Sequence, residues 1–246
     1  MNLTVAMVAG IAFGLGIGQK EAAPATYTPT AAYERRDMEG FVVRVNPQAL
    51  SHAEETGAAL ELMREKLKEI NRIVPRRQAA VLRSVPIWVE WRTRPNGAAE
   101  YHPDVGWLRE NGYNPEKAKC VEINNVVNFV DWTKRTQPMM LLHELAHAYH
   151  DRVLGMDNAE VQQAYDTAVK SGRYDSVEFV TGGKRRHYAL TDAKEYFAEL
   201  TETWFGRNDF YPFVRAELRT HDPAGYALMA KVWSGDRADG SREHGS

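Results

Sequence analysis

Two histidines one helical turn apart, with a glutamate directly after the first, are the residues whose types and spacing suit chemistry. They are His143, Glu144 and His147, in the run "MMLLHELAHAYHDRV" from Met139 to Val153. On a helix, positions i and i+4 share a face, so both imidazoles reach one tetrahedral ion. A glutamate after the first ligand stands where zinc hydrolases keep the carboxylate that takes a proton from activated water. Leu141, Leu142, Leu145, Ala146 and Ala148 are apolar or small, as a helix buried behind a cleft requires. The alternative is a pair of hydrogen-bonded core histidines with no metal.

A catalytic zinc takes three protein ligands and keeps one position for water. No HxxGxxH-type continuation follows, because Ala148, Tyr149 and His150 come next. His150 lies about 60° off the ligand stripe and reads as structural or surface. His221 is no better placed, in a turn beside Asp222-Pro223. That leaves carboxylates, and "TDAKEYFAELTETWF" carries Glu195, Glu199 and Glu202 at i, i+4 and i+7. An acidic stripe on a helix is ordinarily just solvated; beside a zinc motif short of one ligand it gains meaning. Glu195 is the leading candidate for third ligand and Glu199 the alternative. The other of the two holds a ligand histidine by its second nitrogen, and Glu202 is read as surface.

Several elements must position these residues. "GFVVRV" (Gly40–Val45), "VPIWVEW" (Val85–Trp91) and "CVEINN" (Cys120–Asn125) read as strands. Ala53–Ile73 is an amphipathic helix with Leu60, Met63, Leu67 and Ile70 on one stripe, ended by Pro75. "YHPDVGWLRENGYNPEKA" reads as loop. Pro138 opens the motif helix, which Gly155 ends. Asp157-Asn158 caps a helix over Ala159–Lys170, and Thr191-Asp192 caps one reaching Trp204. "SVEFVTGGKRRHYAL" is a hairpin turning at Gly182-Gly183, with Tyr188 ending its second strand. Gly183-Lys184-Arg185-Arg186 reads as a solvated tip, the alternative being a contact for an acidic substrate. Helical segments near Phe213–Arg219 and Pro223–Trp233 finish the chain. This order predicts an α+β fold: a small mixed sheet packed on an active-site helix, then a mainly helical C-terminal part.

The spacing HELAH, then Tyr188, then "EYFAE" resembles the lethal-factor-like zinc metallopeptidases, gluzincins that include the anthrax lethal factor catalytic domain and the secreted Pro-Pro endopeptidases. The matching positions are His143, Glu144, His147, Tyr188, Glu195 and Glu199, within a region of roughly Val85 to Trp233. The resemblance implies a zincin-like (gluzincin) fold, with zinc on His143, His147 and Glu195. It also implies that Tyr188 donates a hydrogen bond to the oxyanion, whereas by itself Tyr188 reads only as a strand end. The substrate-contacting loops of known members have no match here. Substrate in such a fold commonly pairs with an edge strand, and "CVEIN" (Cys120–Asn124) is the candidate.

Composition bounds the rest. The chain has 246 residues, 43% of them hydrophobic, enough for one compact domain, placed at 40–234. A net charge of −2 argues against nucleic acid or anionic membranes as general partners. Cys120 is the only cysteine, so no internal disulfide forms. Leu3–Ile17 is an uncharged apolar run followed by Ala23-Pro24-Ala25. Residues 1–25 are therefore read as a signal peptide or, alternatively, an uncleaved anchor, so the protein is expected to be secreted or extracytoplasmic. Residues 26–39 read as a linker and 235–246 as a frayed tail.

The expected function is zinc-dependent hydrolysis of a peptide or protein substrate, with Glu144 as general base. Hydrolysis of a non-peptide amide uses the same residues. The rival from another class is a catalytically inactive exported zinc-binding protein with a binding or cell-surface role.

Overall fold

The computed structural model of the protein describes residues 27–235. The expected signal peptide or anchor and the expected tail from 236 onward lie outside the described residues. Among the described residues no helix is long and apolar enough to cross a membrane.

The chain is α+β. A short 3₁₀ turn leads into β1 (Glu34–Met38), β2 (Phe41–Val45), α1 (Pro47–Ser51), α2 (Ala53–Ile73), α3 (Arg76–Arg83) and β3 (Ile87–Val89). Then come β4 (Glu100–Tyr101), α4 (Val105–Glu110), β5 (Val121–Ile123), α5 (Val126–Arg135) and α6 (Met140–Tyr149). The last part holds α7 (Ala159–Ser171), the hairpin β6 (Val177–Glu178) and β7 (Lys184–Arg185), then α8 (Ala193–Phe205), α9 (Arg215–His221) and α10 (Pro223–Trp233).

The main sheet is mixed, in the order β1-β2-β3-β5-β4. Its central pairs, β2 with β3 and β3 with β5, are parallel, and both flanking pairs are antiparallel. Ile87, Val89, Val121 and Ile123 join one apolar core that extends from Met38 to Trp233. Trp88 and Glu122, alternating with them, take the opposite face. Against the core face lie α2, whose apolar stripe includes Met63, Leu67 and Ile70, and α6, buried at every position but Glu144.

Four expectations are corrected. The stretch assigned to a linker contains β1, whose "ERRDM" sequence lacks the apolar alternation of a half-buried strand because it is an edge with one neighbour. The loop after Tyr101 holds α4, capped by the Asp104 side chain on the Trp107 amide. Most consequential, β5 is not an edge: it bonds β3 on one side and β4 on the other, so β4 carries the free edge. The helices α2, α6, α7, α8, α9 and α10 and the hairpin fall where expected, whereas α1, α3 and α5 were not anticipated. The hairpin turns at Gly182 and Gly183, φ 95° and 78°, a left-handed turn that glycine makes without a Cβ clash. Tyr188 does not end a strand; it starts a single 3₁₀ turn, Tyr188–Leu190.

Candidate metal centre

The site is built where α6 packs on α8, the most extensive helix pairing among the described residues. At the start of α8 the Asp192 side chain accepts from the amides of Lys194 (2.8 Å) and Glu195 (3.0 Å). That cap fixes the first turn and leaves the Glu195 carboxylate free to face α6. After Tyr149 the helix widens into one π turn, His150–Leu154, ended by Gly155.

Three lone-pair atoms converge. His143 Nε2 lies 3.1 Å from Glu195 Oε2 and 3.1 Å from His147 Nε2. His147 Nε2 lies 3.4 Å from Glu195 Oε2. Around a tetrahedral ion with bonds of about 2.0–2.1 Å, neighbouring ligand atoms stand about 3.3 Å apart. The three atoms therefore match one triangular face of such a shell. A single proton satisfies only one of these contacts, whereas a central cation satisfies all three. The cluster is geometrically able to hold a metal ion.

Behind the triangle, His143 Nδ1 meets Glu202 Oε1 at 2.7 Å. A carboxylate there keeps the proton on Nδ1 and leaves Nε2 its lone pair. This corrects two expectations. Glu202 is not on the surface; it is 4% exposed. Glu199, expected in the orienting role, approaches His143 Nδ1 only to 3.8 Å and accepts instead from Asn208 Nδ2 at 2.7 Å. The reason is helical: a residue seven positions on returns to within about 20° of Glu195, whereas Glu199 is displaced by about 40°. Glu195 and Glu202 thus bracket the same imidazole from its two nitrogens.

The electrostatics follow from this crowding. Burial acts to push the Glu195 carboxyl up, but hydrogen bonds with His143 and His147 overcome it and hold Glu195 well below the ordinary range. Burial raises Glu144 above the usual glutamate value against the pull of both histidines, which makes it a better proton acceptor. Burial, then Glu195, pushes Tyr188 up to about 12, so its hydroxyl stays a donor at neutral pH. Burial, with Glu202 adding to it, raises Glu199 well above the ordinary value and Asp209 to about 7. His150 is fully buried against Phe197 with both ring nitrogens unpartnered, and burial lowers it to about 4. It is structural.

A cleft of about 630 Å³ opens over the triangle and is lined by His143, Glu144, His147, Tyr188 and Glu195 together. Glu100 and Tyr101 of β4 form one wall; Phe179 and Arg185 of the hairpin form another. Glu199 lacks the His143 contact expected of it, while Glu144 and Tyr188 line the cleft beside the triangle. Sequence reasoning missed Glu202, for which the heptad spacing from Glu195 was an available signal, and Asp209, which follows α8 in a loop without a local pattern.

No family model matches the chain, and no curated protein or solved structure matches it either.

Proposed function

We propose that the protein is a zinc-dependent peptide hydrolase with a zincin-like, gluzincin architecture of the lethal-factor-like kind, acting outside the cytoplasm. The observation that carries this reading is the triangle of His143, His147 and Glu195, with sides of 3.1–3.4 Å, beside Glu144 in an open cleft. Two imidazoles and one carboxylate are the donor set of hydrolytic zinc, and their Nδ1-side support by Glu202 suits it further. A zinc ion held there supplies Lewis acidity and brings the acidity of a water near neutral pH.

The chain's own residues supply the remaining steps. Glu144, raised by burial, takes the proton of the attacking water on its carboxylate and returns it to the leaving amine nitrogen. Tyr188 Oη donates to the oxyanion, a contribution of a few kcal/mol when such a donor is preorganised. An extended peptide pairs with the free edge of β4, which lines the cleft, in place of the interior β5.

The test compares wild type with Glu144→Gln for zinc per chain and for cleavage of a proteome-derived peptide pool. Expected are equal zinc contents and a cleavage rate lower by about 10²–10⁴ in the variant. Wild-type turnover by Glu144→Gln removes Glu144 from the mechanism. A zinc-loaded wild type that cleaves nothing favours the inactive zinc-binding reading.

A further inference from the structure

The cleft is lopsided in charge. Six carboxyl side chains line it against one arginine, and that arginine, Arg185, sits on the exposed hairpin with its guanidinium 3.9 Å over the Phe179 ring. The proposed chemistry uses Glu144 and Glu195. Two more acids, Glu202 and Asp209, each 4% exposed, line the same cleft, and of these only Glu202 serves the triangle, through His143. Glu202 spends one oxygen on His143, while the other, Oε2, is buried with no hydrogen-bond partner. A buried unpaired carboxylate oxygen costs free energy that a fitting ligand recovers.

The walls narrow the choice of ligand. Trp132 and Met140 line the same cleft and give it apolar surface, and the Gln137 side chain, also in the lining, hydrogen-bonds Asp209. Apolar sides over an acidic base match a side chain with an aliphatic stem and a cationic head. An acidic side chain meets like charge there, and an apolar one leaves Glu202 Oε2 unpaired; both are disfavoured.

We propose that the part of this cleft at Glu202 and Asp209 takes the lysine or arginine side chain of a residue flanking the scissile bond, with Trp132 and Met140 of the same lining for its aliphatic stem. The cleavage preference is thus for basic sites, which rests on the hydrolase reading. Asp209 is the specificity-determining residue: it touches no metal ligand and adds the second negative charge.

The experiment has two arms on the zinc-loaded full chain. The first profiles cleavage of a proteome-derived peptide pool by wild type and Asp209→Asn. The second measures binding of arginine amide and of norleucine amide to Glu144→Gln, with and without Asp209→Asn, and so reads the recess without turnover. Expected are an enrichment of lysine and arginine of about tenfold or more at one flanking position and a matching affinity ratio for the two amides, both falling toward one in Asp209→Asn. Cleavage with no basic enrichment, and equal binding of the two amides, overturns the inference and leaves the hydrolase reading standing. Enrichment that survives Asp209→Asn overturns the role of Asp209. Asp209-dependent binding of arginine amide without any cleavage upholds the recess and sinks the hydrolase reading instead.

Discussion

The molecule buries ionisable groups in two places and treats them in opposite ways. On the face of the sheet opposite the main core, Glu90 accepts from Tyr33 Oη (2.6 Å), Asn46 Nδ2 (2.6 Å) and Lys117 Nζ (2.7 Å). Glu122 pairs with the same ammonium at 2.9 Å and with His102 Nε2 at 2.6 Å. Two acids face one lysine and one histidine, and every carboxylate oxygen has a partner. At the candidate metal centre the acids outnumber the cations, and Glu202 Oε2 has no partner. Glu100, His102 and Glu122 also cluster tightly enough to consider as ligands, but Lys117 already pairs with Glu122 and Arg94 with Glu100. A closed network holds a fold together; an open one waits for a cation from outside.

The largest effect that tests this contrast is Lys117→Met. Removing the shared ammonium strands two buried carboxylates, so stability falls by about 3–5 kcal/mol, read from denaturant unfolding. A loss under about 1 kcal/mol breaks the comparison. The same network sets an acid limit. Burial acts to raise Glu122, but the His102 hydrogen bond and the Lys117 charge overcome it and hold it below the ordinary glutamate value. A carboxyl depressed in the fold stabilises it above the unfolded value near pH ~4.3, and that contribution is lost as pH falls further. Lys117, raised by Glu122 and Glu90 against its burial, adds a contribution present below about pH 10.4 and lost above it.

At the centre the expectation reverses: stability waits on metal. Zinc at about one hundred times its dissociation constant raises the unfolding free energy by about 2.7 kcal/mol, and a chelator returns it to the starting value. Thermal unfolding with and without chelator checks this, and an unchanged midpoint argues against the site. Glu202→Gln keeps the shape but weakens its grip on His143, so zinc affinity falls by about 10–100-fold in a competition titration with a chromogenic chelator. An affinity loss from Glu199→Gln as large as that from Glu202→Gln breaks the assignment of Glu202 as the orienting acid.

The two regions also differed in how legible they were. His143, Glu144 and His147 were readable because three residues within one helical turn state their own geometry. Glu195 followed from the capped, acid-striped helix, since Asp192 marks where α8 begins and the stripe marks its face. The choice between Glu199 and Glu202 was harder, because it turns on a rotation of some tens of degrees that only the α6–α8 packing fixes. The far network was illegible: Glu90, Lys117 and Glu122 are scattered over two strands and a turn, and no local spacing announces that they share one charge. The edge position of β4 was hidden for a similar reason, since a two-residue strand carries no periodicity and its place depends on pairing across the sheet.

The smallest effect is the most diagnostic, because it has the opposite sign from ordinary mutations. In chelator-treated protein Asp209 is a carboxyl raised to about 7 by burial and by Glu202. A carboxyl raised in the fold contributes stability that is present below its unfolded value near pH ~3.9 and is lost as pH rises through about 7. The Asp209 contribution is therefore smaller at pH 8 than at pH 6, against a rise from the buried His150 and His187, whose burial lowers them below the ordinary histidine value. Asp209→Asn removes the titrating charge, flattens that slope and leaves the pH 8 protein equal to or more stable than wild type, as expected where a site keeps charge for a ligand at the expense of the fold. Thermal midpoints of both proteins between pH 5.5 and pH 8.5 decide it. Should Asp209→Asn destabilise at pH 8, then Asp209 belongs to a closed network like that of Glu90 and Glu122, and the contrast between the two regions disappears.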